Sequence, residues 1–507
     1  MRRGGNFLSM MQGTFALHQN LSGMFQSDAA QRRADDLAQY MEDAVPSGRL
    51  GDGRLANRDD LLKAGLLGDK GLIIGGFGNE LIRYNGDSPL VTFLKTGGGK
   101  GRDYILPTLG LVDDRSIVIF DPKNGENYYA THEHREKTLR IPSIVIDPYH
   151  VRGTTSIGIN MLDILPRIIQ SGGEIQNEPE LISLILIPRN YKSRDGAWAD
   201  DGGRRLLSVW MEGLAHFDVE NCNLGGLWMK ANCSEAEMAL NLTMLETCGI
   251  EGLARRAAAL KAEFETVPKQ FYAYISSCQT ALSSFEKGKT LDRASRQTDF
   301  DFRRLKHEPH TVWFILPSDK IDVSAPFISL CLNYIIETIA NETGKITTTL
   351  LLDEMPQLPP IPALLKALRL YRGCGVQPWM FAQSKYSFDG KYSESEVREF
   401  IEQSAVVTYK HVAQPEIIRD LTLLSGNMTI FSHGNNHSGG KLEVASASMS
   451  ETKRPVLQAE QILALGEKQI LKVSGLAHLV IADTTPFYKI RPLDSALKDT
   501  RKLHRGG

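Results

Sequence analysis

None of the six cysteines (Cys222, Cys233, Cys248, Cys278, Cys331, Cys374) forms a C-x-x-C pair. Neither a disulfide framework nor a zinc site is therefore signalled, and reduced thiols are the expectation. No window holds about 20 consecutive apolar residues, so no membrane-spanning helix is expected. Charge of one sign is lacking too. With 58 basic and 60 acidic residues the net charge is −2. That excludes a globally basic nucleic-acid coat and leaves room only for a local basic channel. Internal repeats are absent. What is there is an ordinary globular composition, 42% hydrophobic and 23% charged, over 507 residues, a length that implies two or three domains.

The N-terminus, "MRRGGNFLSMMQGTFALHQNLSGMF", has two arginines and then an uncharged run. Asn6, Gln12, His18, Gln19 and Asn20 interrupt it too often for a signal sequence or a span. Phe7, Leu8, Met11 and Phe15 can line one side of a short amphipathic helix for a partner or a membrane surface; a loosely ordered terminus is the alternative.

Beyond about Leu66, short apolar runs alternate with turns and helical patterns. Strands are expected at Pro89–Leu94, Ser116–Phe120 and Ser143–Ile146, and again at Thr311–Leu316, Thr347–Leu352, Trp379–Ala382, Val406–Tyr409 and His478–Ala482. Continuous β-branched runs of this kind fit a parallel sheet buried on both faces. Between the two groups, from about Glu178 to Arg293, Leu, Ala, Met and Glu recur at helical spacing, as in "EGLARRAAALKAEFETV". An α/β domain interrupted by a slightly acidic helical one explains this order. The polar, Gly/Ser-rich stretch His433–Lys453 is expected to be a long surface loop.

Chemistry concentrates at the ends of three of these strands. "LKTGGGKGRD", Leu94–Asp103, resembles a phosphate-binding loop, Gly-x-x-x-x-Gly-Lys-Ser/Thr, with Leu94 replacing the first glycine and Gly101 the hydroxyl residue. Backbone N–H groups at such a turn, backed by a helix N-terminus, form a nest for phosphate oxygens, and Lys100 would reach the β/γ-phosphates. The bland alternative is a glycine turn with a chance lysine. "TTTLLLDEMPQL" puts Asp353 and Glu354 just past an apolar run. There an aspartate can hold Mg²⁺ through its water shell and the glutamate can orient or deprotonate the attacking water; a helix N-cap with a first-turn acid is the competing reading. Gln383 closes a third run, where its amide can sense a γ-phosphate or hold the water. Arg372 precedes that run, either as a cation at a helix C-terminus or as an arginine finger for a neighbouring subunit.

In this order the motifs resemble the TraG/TraD family of type IV secretion coupling proteins. The resemblance runs from "GLLGDKGLIIG" (Gly65–Gly75) to "PFYKI" (Pro486–Ile490) and takes in "LIRYNGD", "TGGGKGRDYILPTL", "DPKNGE", "INMLD", "LLLDEMPQL", "RGCGV" and "AQS". Relatives often carry Gly-Lys-Gly and replace the first glycine. This chain departs from them at Leu94, which is bulkier than usual, and at Asn124, which resembles an insertion.

The resemblance implies an α/β, RecA-like P-loop NTPase domain with a mainly parallel sheet, interrupted by an all-α domain. The expected division is an N-terminal segment over 1–65, nucleotide-binding parts over 66–175 and 299–495, an all-α substrate-recognition domain over 176–298 and a tail over 496–507. ATP and Mg²⁺ are the implied cofactors. Thr96, Gly97, Gly98, Gly99, Lys100, Gly101 and Arg102 would bind the nucleotide, Asp353 the metal, and Lys100, Glu354, Gln383 and Arg372 would carry catalysis. Six subunits would form a ring that moves DNA with its relaxase, or protein effectors, toward the channel of a type IV secretion system. Most relatives have an N-terminal transmembrane anchor; none is expected here, so the chain would lie in the cytoplasm at the bacterial inner membrane, tethered by a separate partner, as a truncated form, or as a soluble branch. Two other functions fit the residues. One is a docking adaptor that binds ATP for assembly, and the other a cytosolic FtsK/HerA-like DNA translocase.

Overall fold

The β-branched runs do form strands, and their burial explains their composition. The computed structural model describes Gln39 and residues 45–153, 155–189, 196–370, 373–435 and 447–498. The amphipathic helix considered for the N-terminus lies outside these residues. The chain falls into two compact units, Met1–Arg54 with Arg419–Gln458, and Leu55–Ile418 with Ala459–Gly507.

In the larger unit, β1 (Leu72–Phe77) and β2 (Glu80–Tyr84) form an antiparallel hairpin. The main sheet uses β3 (Leu90–Leu94), β4 (Ser116–Asp121), β5 (Ser143–Ile146), β6 (Thr311–Ile315), β7 (Thr348–Leu352), β8 (Val376–Ala382) and β9 (Val406–Lys410). Two strands of the smaller unit, β10 (Asn427–Asn435) and β11 (Ala447–Pro455), come next in the chain, and β12 (Gln469–Val473) and β13 (Val480–Ala482) complete the main sheet. Its nine strands run β13-β12-β9-β3-β8-β7-β4-β6-β5. All pairs from β9 to β5 are parallel; β12 is antiparallel to both its neighbours.

Alternate residues of each central strand enter different cores, as the two-residue period requires. Val118, Phe120, Leu350 and Leu352 join one cluster, while Ile117, Ile119 and Leu351 join the other. Both faces are covered, so these strands read as unbroken apolar runs.

Between β5 and β6 the chain is helical, including Glu178–Leu186, Ala197–Phe217, Glu235–Glu246, Glu251–Thr266 and Pro268–Leu282. Ser234 and Glu237 close a capping box that starts one of them. Helix Ala197–Phe217 packs closely on Pro268–Leu282 because Gly202 has no side chain; a Cβ there would lie 2.0 Å from the Tyr274 ring. These helices share their core with one face of the sheet.

The segment Ser318–Ala340 is, by length and composition, long and apolar enough to cross a membrane. Asp322, Ser324, Asn333 and Glu337 break its apolar run, which is why no candidate span is expected from the sequence. Its most apolar stretch is 72% buried in the protein, and Phe327, Ile328 and Leu332 lie in the core. Packing inside the fold accounts for the hydropathy.

The smaller unit corrects the sequence expectation for His433–Lys453. Its two ends are strand, β10 pairing with β11 in antiparallel register from Asn427↔Pro455 to Asn435↔Ala447; residues 436–446 lie outside the described ones. A two-stranded ribbon is held by backbone hydrogen bonds that polar residues make as readily as apolar ones, so no hydrophobic alternation marked it.

Candidate functional site

Four adjacent parallel strands, β3, β8, β7 and β4, end on the same edge of the sheet, where open α/β sheets hold their ligands. The chain leaving each end contributes to one cleft of about 620 Å³. Lys95–Arg102 follow β3, Asp353 and Glu354 follow β7, Gln383 follows β8, and Lys123, Glu126 and Asn127 follow β4. Thr96, Gly97, Gly98, Gly99, Lys100, Gly101, Arg102, Asp353, Glu354 and Gln383 are thus brought together as the motifs predicted. Arg372 lies outside the described residues.

The glycine loop turns tightly. Gly98 N–H donates to Lys95 O at 2.9 Å and Asp103 N–H to Gly99 O at 2.8 Å. Gly97 (φ +76°) and Gly99 (φ +90°) occupy the left-handed region, where only glycine is unstrained. The helical turn Gly101–Ile105, continued by Leu106–Leu111, starts directly after Lys100. Leu94 is the last residue of β3 and is buried in the core, so its bulk serves the sheet and the turn begins after it. Asn124, the apparent insertion, takes φ +55°, which asparagine tolerates, and its Oδ1 accepts from Ser318 N–H at 3.1 Å.

Lys100 joins the two halves of the site. Its ammonium contacts Asp353 Oδ1 and donates to Glu354 Oε2 at 2.8 Å. Burial by itself lowers the Lys100 pKa, but the charges of Asp353 and Glu354 outweigh it and the net shift is upward. Gln383 Nε2 donates to Glu354 Oε1 at 3.2 Å. Glu354 sits at φ +68°, a costly conformation for a non-glycine residue and one that clusters at functional sites. A lysine, two carboxylates and an amide therefore converge where a phosphate would meet the loop.

Several participants were not picked out from the sequence. Lys410, the last residue of β9, is fully buried; its Nζ donates to Gly98 O at 2.7 Å and Asp103 Oδ2 at 2.8 Å. Arg102 binds the same Asp103 carboxylate through Nε at 2.6 Å and reaches Glu467 at 3.0 Å. The Arg102 hydrogen bond, followed by the nearby Lys410, holds the Glu467 carboxyl down at about 2. Asp121, at the end of β4, accepts from Tyr128 N–H at 3.0 Å, yet burial raises its carboxyl to about 7. "DPKNGE" carries the family resemblance but shows no chemistry of its own in the sequence. A lysine closing "VVTYK" gave no signal, because charged residues at strand ends are usually solvated.

A sequence profile described as type IV secretory system conjugative DNA transfer matches residues 54–494. The chain belongs to this family of type IV secretion coupling proteins. The conjugal transfer protein TraG of Escherichia coli is 23% identical over 465 residues, covering 82% of this chain and 71% of TraG. VirD4 of Rhizobium rhizogenes is 20% identical over 187 residues, 36% of this chain and 28% of its own. The bacterial conjugative coupling protein TrwB, solved with sulphate, aligns with a TM-score of 0.63 at 17% identity, over 87% of this chain and 96% of that one. TrwB with the non-hydrolysable ATP analogue ADPNP gives 0.62 at 17% identity, over 88% and 96%. The RecA-like α/β fold is thus the coupling-protein fold; TrwB has also been solved with ADP and Mg²⁺.

Proposed function

We propose that the cleft binds ATP with Mg²⁺ and that its hydrolysis drives transfer of a DNA–relaxase complex or effector to the secretion channel. One observation carries this reading. Lys100 touches Asp353 and Glu354, which lie far along the chain, at the strand edge where a nucleotide would sit. In the free protein the two acids hold the lysine; arriving phosphates would compete for it, leaving the acids for metal and water.

Asp353 suits the metal. Its buried Oδ1 is met by the Lys100 ammonium and by no neutral donor among the described residues. Bound there with the nucleotide, Mg²⁺ would neutralise charge on the β- and γ-phosphate oxygens. The loop Thr96–Arg102 cradles the phosphates with backbone N–H groups other than that of Gly98, which is bonded to Lys95 O. Glu354 orients and deprotonates the attacking water, and Gln383, already bonded to Glu354, couples that carboxylate to the γ-phosphate. Arg372 completes the site of a neighbouring subunit, which calls for a ring, six subunits in the family pattern. The helical region between β5 and β6 recognises the substrate, and the protein works at the cytoplasmic side of the inner membrane.

The test is Glu354→Gln. It should bind ATP as wild type does and lose about 10²- to 10⁴-fold in turnover, because the amide cannot take a proton. Normal hydrolysis by this variant, measured with and without single-stranded DNA, would sink the assignment.

A further inference from the structure

The glycine at position 101 leaves the loop without the hydroxyl that P-loops direct at their metal. The space where that side chain would be is not filled from within the loop. Among the described residues, a Cβ built on Gly101 would meet, beyond its own turn, only Asn127 Oδ1 at 3.8 Å.

Asn127 is well placed to answer for it. It stands in the first turn of the helix Glu126–Lys137, is buried, and still lines the cleft. Its Nδ2 donates to Asp121 Oδ1 at 3.3 Å and its backbone carbonyl accepts from Thr131 Oγ1 at 2.7 Å. Neither bond uses Oδ1. An amide that gives its N–H to a carboxylate must turn its oxygen the other way, here toward Gly101. A water in the place of the missing hydroxyl would be within hydrogen-bond reach of that oxygen.

We infer that Asn127 supplies, from the helix after β4, the oxygen that the loop lacks at Gly101, its Oδ1 accepting from the water shell of a nucleotide-bound divalent cation. Asn127 is then a metal-positioning residue acting through water, and the "DPKNGE" segment exists partly to bring it there. This rests on the nucleotide reading of the cleft. It would let a loop ending in Gly-Lys-Gly hold a nucleotide-bound metal with Asp353 as its carboxylate partner.

The test is a titration of the full chain with a fluorescent N-methylanthraniloyl ADP at pH 8, with excess Mg²⁺ and with EDTA. Wild type should bind more tightly with Mg²⁺. Asn127→Ala should lose about tenfold of that gain, the lower end for loss of an outer-shell metal partner, with affinity in EDTA unchanged. Gly101→Ser should restore most of the loss in the Asn127→Ala background, since the serine places a hydroxyl in open space. On its own, Gly101→Ser brings a hydroxyl that would only replace a water that Asn127 already holds. It should keep the ratio of affinities with Mg²⁺ and with EDTA within about twofold of the wild-type ratio, whatever it does to affinity itself, and this variant does not depend on Asn127→Ala folding. Equal weakening of Asn127→Ala in Mg²⁺ and EDTA would make Asn127 merely structural and overturn the inference. So would an undiminished Mg²⁺ gain in Asn127→Ala, or an Mg²⁺ gain about tenfold larger in Gly101→Ser alone. Failure of wild type to bind the nucleotide under either condition would remove the nucleotide reading and this inference with it.

Discussion

Two lysines serve the same glycine loop in different surroundings. Lys100 is mostly buried but lines the cleft, against two carboxylates that a ligand can displace. Lys410 is sealed inside the sheet, bonded to Gly98 O and Asp103. Both pair with carboxylates beside the same glycine loop, yet only the first lines the cleft, where a ligand can exchange partners with it. The difference is one of desolvation. A cation that lines a cleft can trade one anion for another that enters it, whereas one sealed in the sheet is held by the large penalty of leaving it unpaired. Lys100 is thereby suited to binding and Lys410 to keeping the loop in shape.

The largest expected effect separates them by stability. Lys410→Met leaves Asp103 buried with, among the described residues, only Arg102 as a charge partner and should cost about 3–5 kcal/mol, read by urea unfolding. Asp103→Leu added to Lys410→Met should recover much of that loss, because an apolar pair strands no charge. If the double variant is no better than the single, Lys410 is not held chiefly by its charge partner, and the contrast between the lysines fails.

Next comes affinity. Lys100→Ala should weaken ATP binding about a hundredfold or more, the scale of losing two charge-assisted bonds, while the unfolding midpoint moves far less than in Lys410→Met. Lys95→Ala, which removes an exposed lysine just before the turn, should stay within about twofold. Equal losses in the two would show that general positive charge, not the placement of Lys100, holds the phosphates. Calorimetric titration of the three proteins decides this.

The smallest effect sharpens the comparison through pH. Glu467 is held at about 2, below its ordinary 4.5, first by Arg102. A depressed carboxyl binds fewer protons folded than unfolded, so its stabilisation is full above the ordinary value and is lost as pH falls from 4.5 toward 2. Glu467 is largely exposed, so the gain is small. Wild type should exceed Glu467→Gln by a constant margin above about pH 5, and the margin should close in acid. A difference independent of pH would mean that Glu467 acts by packing, outside the charge network around Lys410.

How much was legible follows from where each residue sits. Lys100, Asp353, Glu354 and Gln383 stand just past apolar runs, and in a parallel sheet such positions share an edge, so their convergence is legible in the sequence. Lys410 also follows such a run, but a lysine there is ordinarily solvated, and only the pairing of β9 with β3 carries it under the loop. Asn127 gave no sign because its meaning depends on a vacancy at Gly101, on another strand–helix unit. The ribbon β10–β11 escaped because its pairing is a matter of backbone register.

The sequence alone determined the class of fold, the order of its parts and the residues that meet at the cleft, because local periodicity and strand-end position are carried by neighbours in the chain. Tertiary structure alone decided which lysine is free to trade partners, which oxygen faces the gap at Gly101 and where the polar ribbon pairs. Those outcomes depend on burial and on contacts between segments far apart in the chain, and neither is written in any single stretch.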